Sequence, residues 1–255
     1  MGKLDSILIV GCGNMGGAML RGWLAAGVDP ARFTVVDPYL AEVPEGVTLL
    51  RALPEAGFDA VLLGVKPQGF ADVAAALAPC LGHSTLVLSI LAGIELASLS
   101  AALPHAGGWV RIMPNLAAAL GKSPMALAGQ GLDQAARDQI AELLNPLGRP
   151  EWIDEAQFDL ATALVGSGPA FVYRFIDALA AGGAALGFTA DQAQRLALAM
   201  VEGAAQLARQ SPHSPAELAR MVASPGGTTE AGLKALDQDQ ALEKLVTATL
   251  RAARD

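Results

Sequence analysis

The chain has 255 residues, enough for one large domain or two ordinary ones. Its formal charge of -8 lacks the basic footprint of a nucleic-acid binder. Hydrophobic residues make up 53%, yet the longest stretch without Asp, Glu, Lys or Arg, 73–94, is broken by Pro79, Gly82, His83, Ser84 and Thr85. It therefore reads as helix, turn and buried strand, and no membrane span is expected.

Lys3 and Asp5 precede an apolar run that predicts a first strand rather than a signal peptide. That run, Ser6-Ile7-Leu8-Ile9-Val10, is β-branched and reads as buried. Gly11-Cys12-Gly13-Asn14-Met15-Gly16 follows, and 15–24 carries apolar residues at helical spacing. Strand, G-x-G-x-x-G and helix is the order of a dinucleotide-binding unit, although a glycine-rich turn occurs in other α/β proteins. In such a unit Gly11 permits the tight turn, Gly13 lets a pyrophosphate approach the backbone, and Gly16 lets helix and strand pack closely. The helix start at Asn14 and Met15 then offers N–H groups and a positive dipole end to the phosphates.

Residues 32–36 predict the second strand, ending at Asp37. In dinucleotide-binding units an acid about 20 residues beyond the last glycine accepts hydrogen bonds from the adenosine ribose and repels a 2′-phosphate. Asp37 thus leans to NADH over NADPH; the alternative is a solvated turn acid before Pro38. Short strand 47–50 precedes buried strand 58–65, which ends in Lys66-Pro67-Gln68, and a helix runs to about Ala78. Ligands of open α/β sheets sit beyond the carboxyl ends of strands. Lys66 stands at one such end, and Asn115 at another, after strand 109–112. Each either contacts cofactor or simply terminates its strand. Strand 84–89 and helix 94–103 lie between them; strand 125–128, a helix capped by Asp133 and strand 151–153 follow. The alternation predicts a mostly parallel sheet covered on both faces, with a dinucleotide-binding domain over 1–154.

From 155 to 255 strand patterns give way to Ala-rich helices. The Gly166-Ser167-Gly168-Pro169 stretch implies a kink or a close approach of another backbone. Thr189 with Gln192, and Ser214 with Pro215 and Glu217, mark two helix starts. A last helix covers about 241–251. Before it lies Ser224-Pro225-Gly226-Gly227-Thr228-Thr229, a loop leading into a helix. Free amides of Gly227, Thr228 and Thr229 there suit an anion such as a carboxylate, and the hydroxyls of Ser224, Thr228 and Thr229 can donate or accept. Ordinary capping by one threonine is the alternative, but it leaves the glycine pair unexplained.

The Gly-x-Gly-Asn-Met-Gly turn, Val65-Lys66-Pro67-Gln68, Arg111-Ile112-Met113-Pro114-Asn115, Leu164-Val165-Gly166-Ser167-Gly168-Pro169-Ala170 and Ser224-Pro225-Gly226-Gly227-Thr228-Thr229 together resemble pyrroline-5-carboxylate reductase. They stand in that family's order and span nearly the whole chain. The resemblance implies a Rossmann-type domain followed by an all-α dimerisation domain, and assembly into homodimers or rings of dimers. It implies reduction of L-1-pyrroline-5-carboxylate to L-proline by NADH or NADPH, the last step of proline biosynthesis, in the cytoplasm. Gly11, Gly13, Asn14, Met15, Gly16, Asp37, Val65, Lys66, Pro67 and Asn115 are the expected cofactor contacts. Ser224, Gly226, Gly227, Thr228 and Thr229 are the expected substrate loop, at a dimer interface. The family commonly continues Met-Pro-Asn with Thr-Pro; here Leu116-Ala117 follow, removing a hydroxyl and a stiff proline beside the expected nicotinamide.

Hydride transfer to a cyclic imine requires a cofactor held against the C=N carbon, a grip on the carboxylate and a proton on nitrogen. No histidine is needed, and none of His83, His105 or His213 lies in a motif. Thr229 is the expected catalytic residue, hydrogen-bonded to the ring nitrogen, with Ser224 and the amides of Gly227 and Thr228 on the carboxylate. A β-hydroxyacid-type dehydrogenase shares the architecture, but that family resembles itself in using a lysine of the helical domain, and 158–224 contains none. A non-catalytic dinucleotide sensor and a reductase of a six-membered cyclic imine complete the alternatives. No metal is expected.

Overall fold

The computed structural model describes residues 4–255. Among them, eight strands build one sheet: β1 (Ile7–Val10), β2 (Phe33–Val36), β3 (Thr48–Leu50), β4 (Ala60–Leu63), β5 (Leu86–Ser89), β6 (Gly108–Met113), β7 (Ser123–Gln130) and β8 (Gly148–Trp152). Their order is β3-β2-β1-β4-β5-β6-β7-β8. All neighbours run parallel except β6 and β7. The reversal has a simple cause. Only the single 3-10 turn Leu116–Leu120 joins β6 to β7, too little chain for a parallel crossover. Strands β7 and β8 begin at Ser123 and Gly148, earlier than their apolar patches suggested.

Five helices accompany the sheet: α1 (Asn14–Ala25), α2 (Phe70–Leu77), α3 (Leu96–Ala102), α4 (Gln134–Leu144) and α5 (Phe158–Ala161). Successive strand residues point to opposite faces. Ile7 and Ile9 of β1 therefore join one core with α1 and α4, while Leu8 and Val10 join the other with α2, α3 and α5. Trp23 fastens the first layer: its ring stacks on Phe33 with centroids 5.1 Å apart, and its Nε1 donates to the carbonyl of Leu143 at 2.6 Å. Strand order reverses at β1, which has β2 on one side and β4 on the other. The carboxyl ends of these strands form the crevice where open α/β sheets bind ligands.

The compact units divide between Gly166 and Ser167, whereas the composition changes near 154–158. The segment 155–166 stays with the sheet because β6 holds it. Arg111 Nη1 donates to Glu155 Oε1 at 2.9 Å, the Arg111 guanidinium lies 3.9 Å from the Phe158 ring centre, and Asn115 Nδ2 donates to Val165 O at 3.1 Å. The expected break at Gly166–Pro169 takes the form of a π-turn at Thr162–Gly166, before a new helix starts at Gly168.

The second unit is helical: α6 (Gly168–Ala185), α7 (Ala190–Gln210), α8 (Pro215–Met221), α9 (Thr228–Asp237) and α10 (Ala241–Arg254). Both anticipated capping boxes are present, Thr189 with Gln192 and Ser214 with Glu217. Ala193 and Ala197 are its buried apolar side chains, while Tyr173, Phe175, Leu198, Leu207, Leu245 and others stay exposed. No helix of the described residues is long and apolar enough to cross a membrane.

Two glycines in helix interiors make opposite predictions. A Cβ on Gly22 would lie 2.1 Å from the carbonyl oxygen of Ala118 and 2.7 Å from Leu147 Cδ2. Gly22→Ala should cost about 3 kcal/mol despite better helix propensity. Gly203, inside α7, meets nothing within 4 Å, so Gly203→Ala should stabilise by up to about 1 kcal/mol. Urea unfolding of the two variants measures the difference, and equal effects would contradict the packing account.

Candidate cofactor and substrate sites

The turn after β1 is built by steric necessity. Gly11 has φ +83°, and its amide donates to Val36 O at 2.9 Å. A Cβ there would also lie 2.8 Å from the Val65 amide nitrogen. A Cβ on Gly16 would lie 2.9 Å from Gly11 O, so helix α1 can begin this close only with glycine. Gly13 differs: a Cβ would meet nothing within 4 Å, and the backbone is bare on its outer side. Gly13 is the N-cap of α1 and supplies no side-chain hydrogen bond, so the first amides, at Asn14 and Met15, have no cap. A pyrophosphate fits this cradle of open backbone and uncapped amides.

A cleft of about 650 Å³ adjoins it, lined by Gly11, Gly13, Asp37, Arg51, Val65 and Lys66 among others. Five of the ten expected cofactor residues, Gly11, Gly13, Asp37, Val65 and Lys66, thus line one cleft. Lys66 is exposed and caps the short turn Pro67–Gly69. Asn115 is placed otherwise. It is buried, its Oδ1 accepts from Ala117 N at 3.0 Å, and its Nδ2 donates to Val165 O. Its side chain caps the turn after β6 and ties down 165, and it does not line this cleft. Leu116 is exposed on a second cleft, of about 470 Å³, with Cys12, Gly13, Arg21 and Glu42.

Asp37 is more constrained than its strand-end position suggests. Its Oδ2 accepts from Cys12 N at 2.9 Å, and its Oδ1 accepts from Tyr39 N at 2.9 Å and Leu40 N at 3.1 Å. Burial raises this carboxyl, but those amides and the nearby Arg51 guanidinium outweigh it and hold the group below its usual value. A carboxylate has about four acceptor positions, so a place on Oδ2 remains for a ribose hydroxyl. Arg51 was not singled out from sequence. The available signal was its position directly after β3, a strand end like that of Lys66.

In the helical unit, α9 begins at Thr228 with Gly227 as an N-cap that makes no side-chain bond. Gly226 has φ +74°, which folds the loop back so that Gly227 N donates to Ser224 O at 2.9 Å. The amide of Gly227, expected to be free for a ligand, is therefore spent on the turn. Gly226 N donates to Glu230 Oε2 at 2.8 Å, and Glu230 pairs with Lys234 at 3.2 Å. Among the described residues the amides of Thr228 and Thr229 have no acceptor. Ser224, Thr228 and Thr229 are exposed.

Comparison with known proteins gives a consistent result. A family model described as pyrroline-5-carboxylate reductase dimerisation matches residues 155–255, and one described as NADP oxidoreductase, coenzyme F420-dependent, matches 6–93. The chain is 40% identical to a pyrroline-5-carboxylate reductase of Pseudomonas aeruginosa, over 97% of this chain and 93% of that one. The solved pyrroline-5-carboxylate reductase of Coxiella burnetii is 30% identical with a TM-score of 0.90, covering 98% of this chain and 96% of that one. The pyrroline carboxylate reductase of Plasmodium falciparum, solved with NADP bound, shares the fold at 24% identity and a TM-score of 0.85, covering 99% and 97%.

Two predictions concern the turn. A carboxyl held below its unfolded value stabilises the fold above that value, and the contribution is lost as pH falls through the folded one. Asp37→Asn should therefore cost stability at neutral pH and progressively less in acid, below pH of about 4. Thermal melts across that range check it; a pH-independent difference would refute the assignment. Burial and the adjacent Asp37 push the Cys12 thiol up to about 11, and burial also raises Cys80. Both cysteines should resist iodoacetamide at mildly alkaline pH in the folded protein and react on unfolding, as mass spectrometry would show.

Proposed function

The chain belongs to the pyrroline-5-carboxylate reductase family, and we propose that it performs the reaction that name describes, delivering hydride to the C=N carbon of L-1-pyrroline-5-carboxylate to give L-proline. It is an oxidoreductase that uses a pyridine nucleotide, which supplies the hydride when bound. The observation that carries the reading is the pair of unsatisfied helix starts, at Gly13 before α1 and Gly227 before α9, each at a glycine with no capping side chain.

The chain's own groups divide the work. Gly11, Gly13, Asn14, Met15 and Gly16 hold the pyrophosphate, and Val65, Lys66 and Pro67 flank the nicotinamide half. Asn115 acts by fixing the turn after β6 rather than by lining the cleft. Asp37 alone favours NADH, because a carboxylate at this place repels a 2′-phosphate. The amides of Thr228 and Thr229 and the hydroxyl of Ser224 grip the substrate carboxylate, while Gly226 and Gly227 shape the turn that presents them. The Thr229 hydroxyl bonds the ring nitrogen. A substrate bound as iminium needs only that orientation; one bound as neutral imine receives its proton at nitrogen through the same hydroxyl from water. Positioning and electrostatics then supply most of the rate.

The exposed apolar side chains of the helical unit and the dimerisation model matching 155–255 support assembly as a homodimer, with rings of dimers as a higher form. Two unpaired buried cysteines suit the reducing cytoplasm. Besides the pyridine nucleotide and a second copy of the chain, the reading requires the small-molecule imino acid as partner.

Thr229→Ala tests the assignment. Nicotinamide oxidation with pyrroline-5-carboxylate, with proline identified as product, should fall about a hundredfold in kcat. Nucleotide affinity should change by less than about threefold, because the loop lies outside the glycine turn. Unchanged kcat would remove Thr229 from the chemistry; absence of turnover in the parent chain would remove the reaction itself.

A further inference from the structure

Asp37 does not stand alone at its strand end. Strands β2 and β3 pair in parallel with Val36 opposite Leu50, so the residues that follow, Asp37 and Arg51, emerge side by side at the carboxyl edge of the sheet. Asp37 N donates to Leu50 O at 3.2 Å, closing the pair. Both residues line the same cleft as Gly11, Gly13 and Lys66.

The two side chains are arranged differently. The Asp37 carboxylate is turned onto backbone amides of Cys12, Tyr39 and Leu40. The Arg51 guanidinium lies over the carbonyls of the same segment: Nη1 donates to Asp37 O at 3.0 Å and to Leu40 O, and Nη2 donates to Ala41 O at 3.4 Å. Three of the five N–H groups of an arginine are thus spent on neutral acceptors, which set the plane of the fork. None is spent on a side-chain carboxylate. The residue is exposed. A cation held in a fixed plane by neutral carbonyls keeps its charge and two donors for an anion.

We propose that Arg51 is the residue through which the cleft accepts the 2′-phosphate of NADPH. It stands beside the acid that the ribose would meet. Two charges compete there, the Asp37 carboxylate against and the Arg51 guanidinium for the extra phosphate, while Asp72 and Lys66 line the remainder of the cleft with opposite signs. Because the Asp37 carboxylate is engaged by three amides while the exposed Arg51 keeps two N–H groups without an acceptor among the described residues, the phosphate pairs with the cation. The chain therefore takes both nucleotides, and Arg51 sets the share of NADPH. This assignment rests on the pyridine-nucleotide reading of the cleft and is independent of the substrate.

Equilibrium fluorescence titration of the full chain with NADPH and NADH tests it without any turnover, so failure of the pyrroline-5-carboxylate reading would not be confused with failure here. Arg51→Ala should weaken NADPH binding about tenfold or more and NADH binding less than about threefold, with Arg51→Lys intermediate. Equal loss for both nucleotides, or no loss, would overturn the proposal and leave Arg51 as a pin for the 37–41 segment. Should the alanine variant fail to fold, the unaltered chain gives the answer. Adenosine 2′,5′-bisphosphate should bind more tightly than 5′-AMP, and the difference should shrink with salt. Equal binding of the two would overturn the assignment.

Discussion

The backbone of Gly11 lies so close to its surroundings that three side chains are forbidden at once. A Cβ on Gly16 would sit 2.9 Å from its carbonyl oxygen, one on Gly64 would sit 2.5 Å from that same oxygen, and one on Gly11 itself 2.8 Å from Val65 N. These contacts seat the start of α1 against the ends of β1 and β4, at the point where strand order reverses. They also explain why Gly13 can be open. The structural burden falls on its neighbours, and Gly13 has only to leave space. The Asp37 carboxylate fixes the same turn from the other side through Cys12 N. One acid therefore serves as a backbone cap for the loop and as a charge lining the adjoining cleft, and these roles limit each other.

A second constraint holds the far end of the sheet. Arg111 is nearly buried, with a side chain 5% exposed. Burying a cation is costly unless it is paired and hydrogen-bonded. Glu155 provides the pair and at the same time accepts from Leu96 N at 2.8 Å, capping α3. Phe158 covers the guanidinium face, an arrangement that favours arginine over lysine. Through one ion pair, β6, the start of α3 and the first turn of the 155–166 segment become a single unit. The compact units therefore divide later than the shift in residue types.

Local signals carried most of the fold. Residues 7–10 and 60–63 are apolar throughout because they are buried on both faces, and the caps at Asp133, Thr189 and Ser214 mark their helices without tertiary help. The direction of β7 was not legible, since no residue states it; it follows from the short Leu116–Leu120 connection. The backbone geometry of the candidate site was legible where it is local, as in the glycine turn and the start of α9. It was not legible where a hydrogen bond within the protein reassigns a group. Asn115 turned to Val165 and Ala117, and the Gly227 amide went to Ser224 O. Arg51 was overlooked because its relation to Asp37 exists only once β2 and β3 are paired.

Two kinds of helix start can be compared in this chain. α4, α7 and α8 begin at Asp133, Thr189 and Ser214, each of which accepts a backbone amide with its own side chain. α1 and α9 begin at Gly13 and Gly227, which cannot. A glycine N-cap costs only a few tenths of a kcal/mol against a capping side chain, and packing does not demand glycine at Gly13, where a Cβ would meet nothing. The groups left without a cap are N–H donors, and each helix dipole points its positive end at them. On the proposed assignment an anion supplies the missing acceptor in each: a diphosphate at α1, which has no acid in its first turn, and a carboxylate at α9. At α9 Glu230 already occupies Gly226 N, so the incoming anion is confined to Thr228 and Thr229. That confinement suits a small ligand with one carboxylate, placed within reach of the threonine hydroxyls, better than a phosphate spread over the whole terminus.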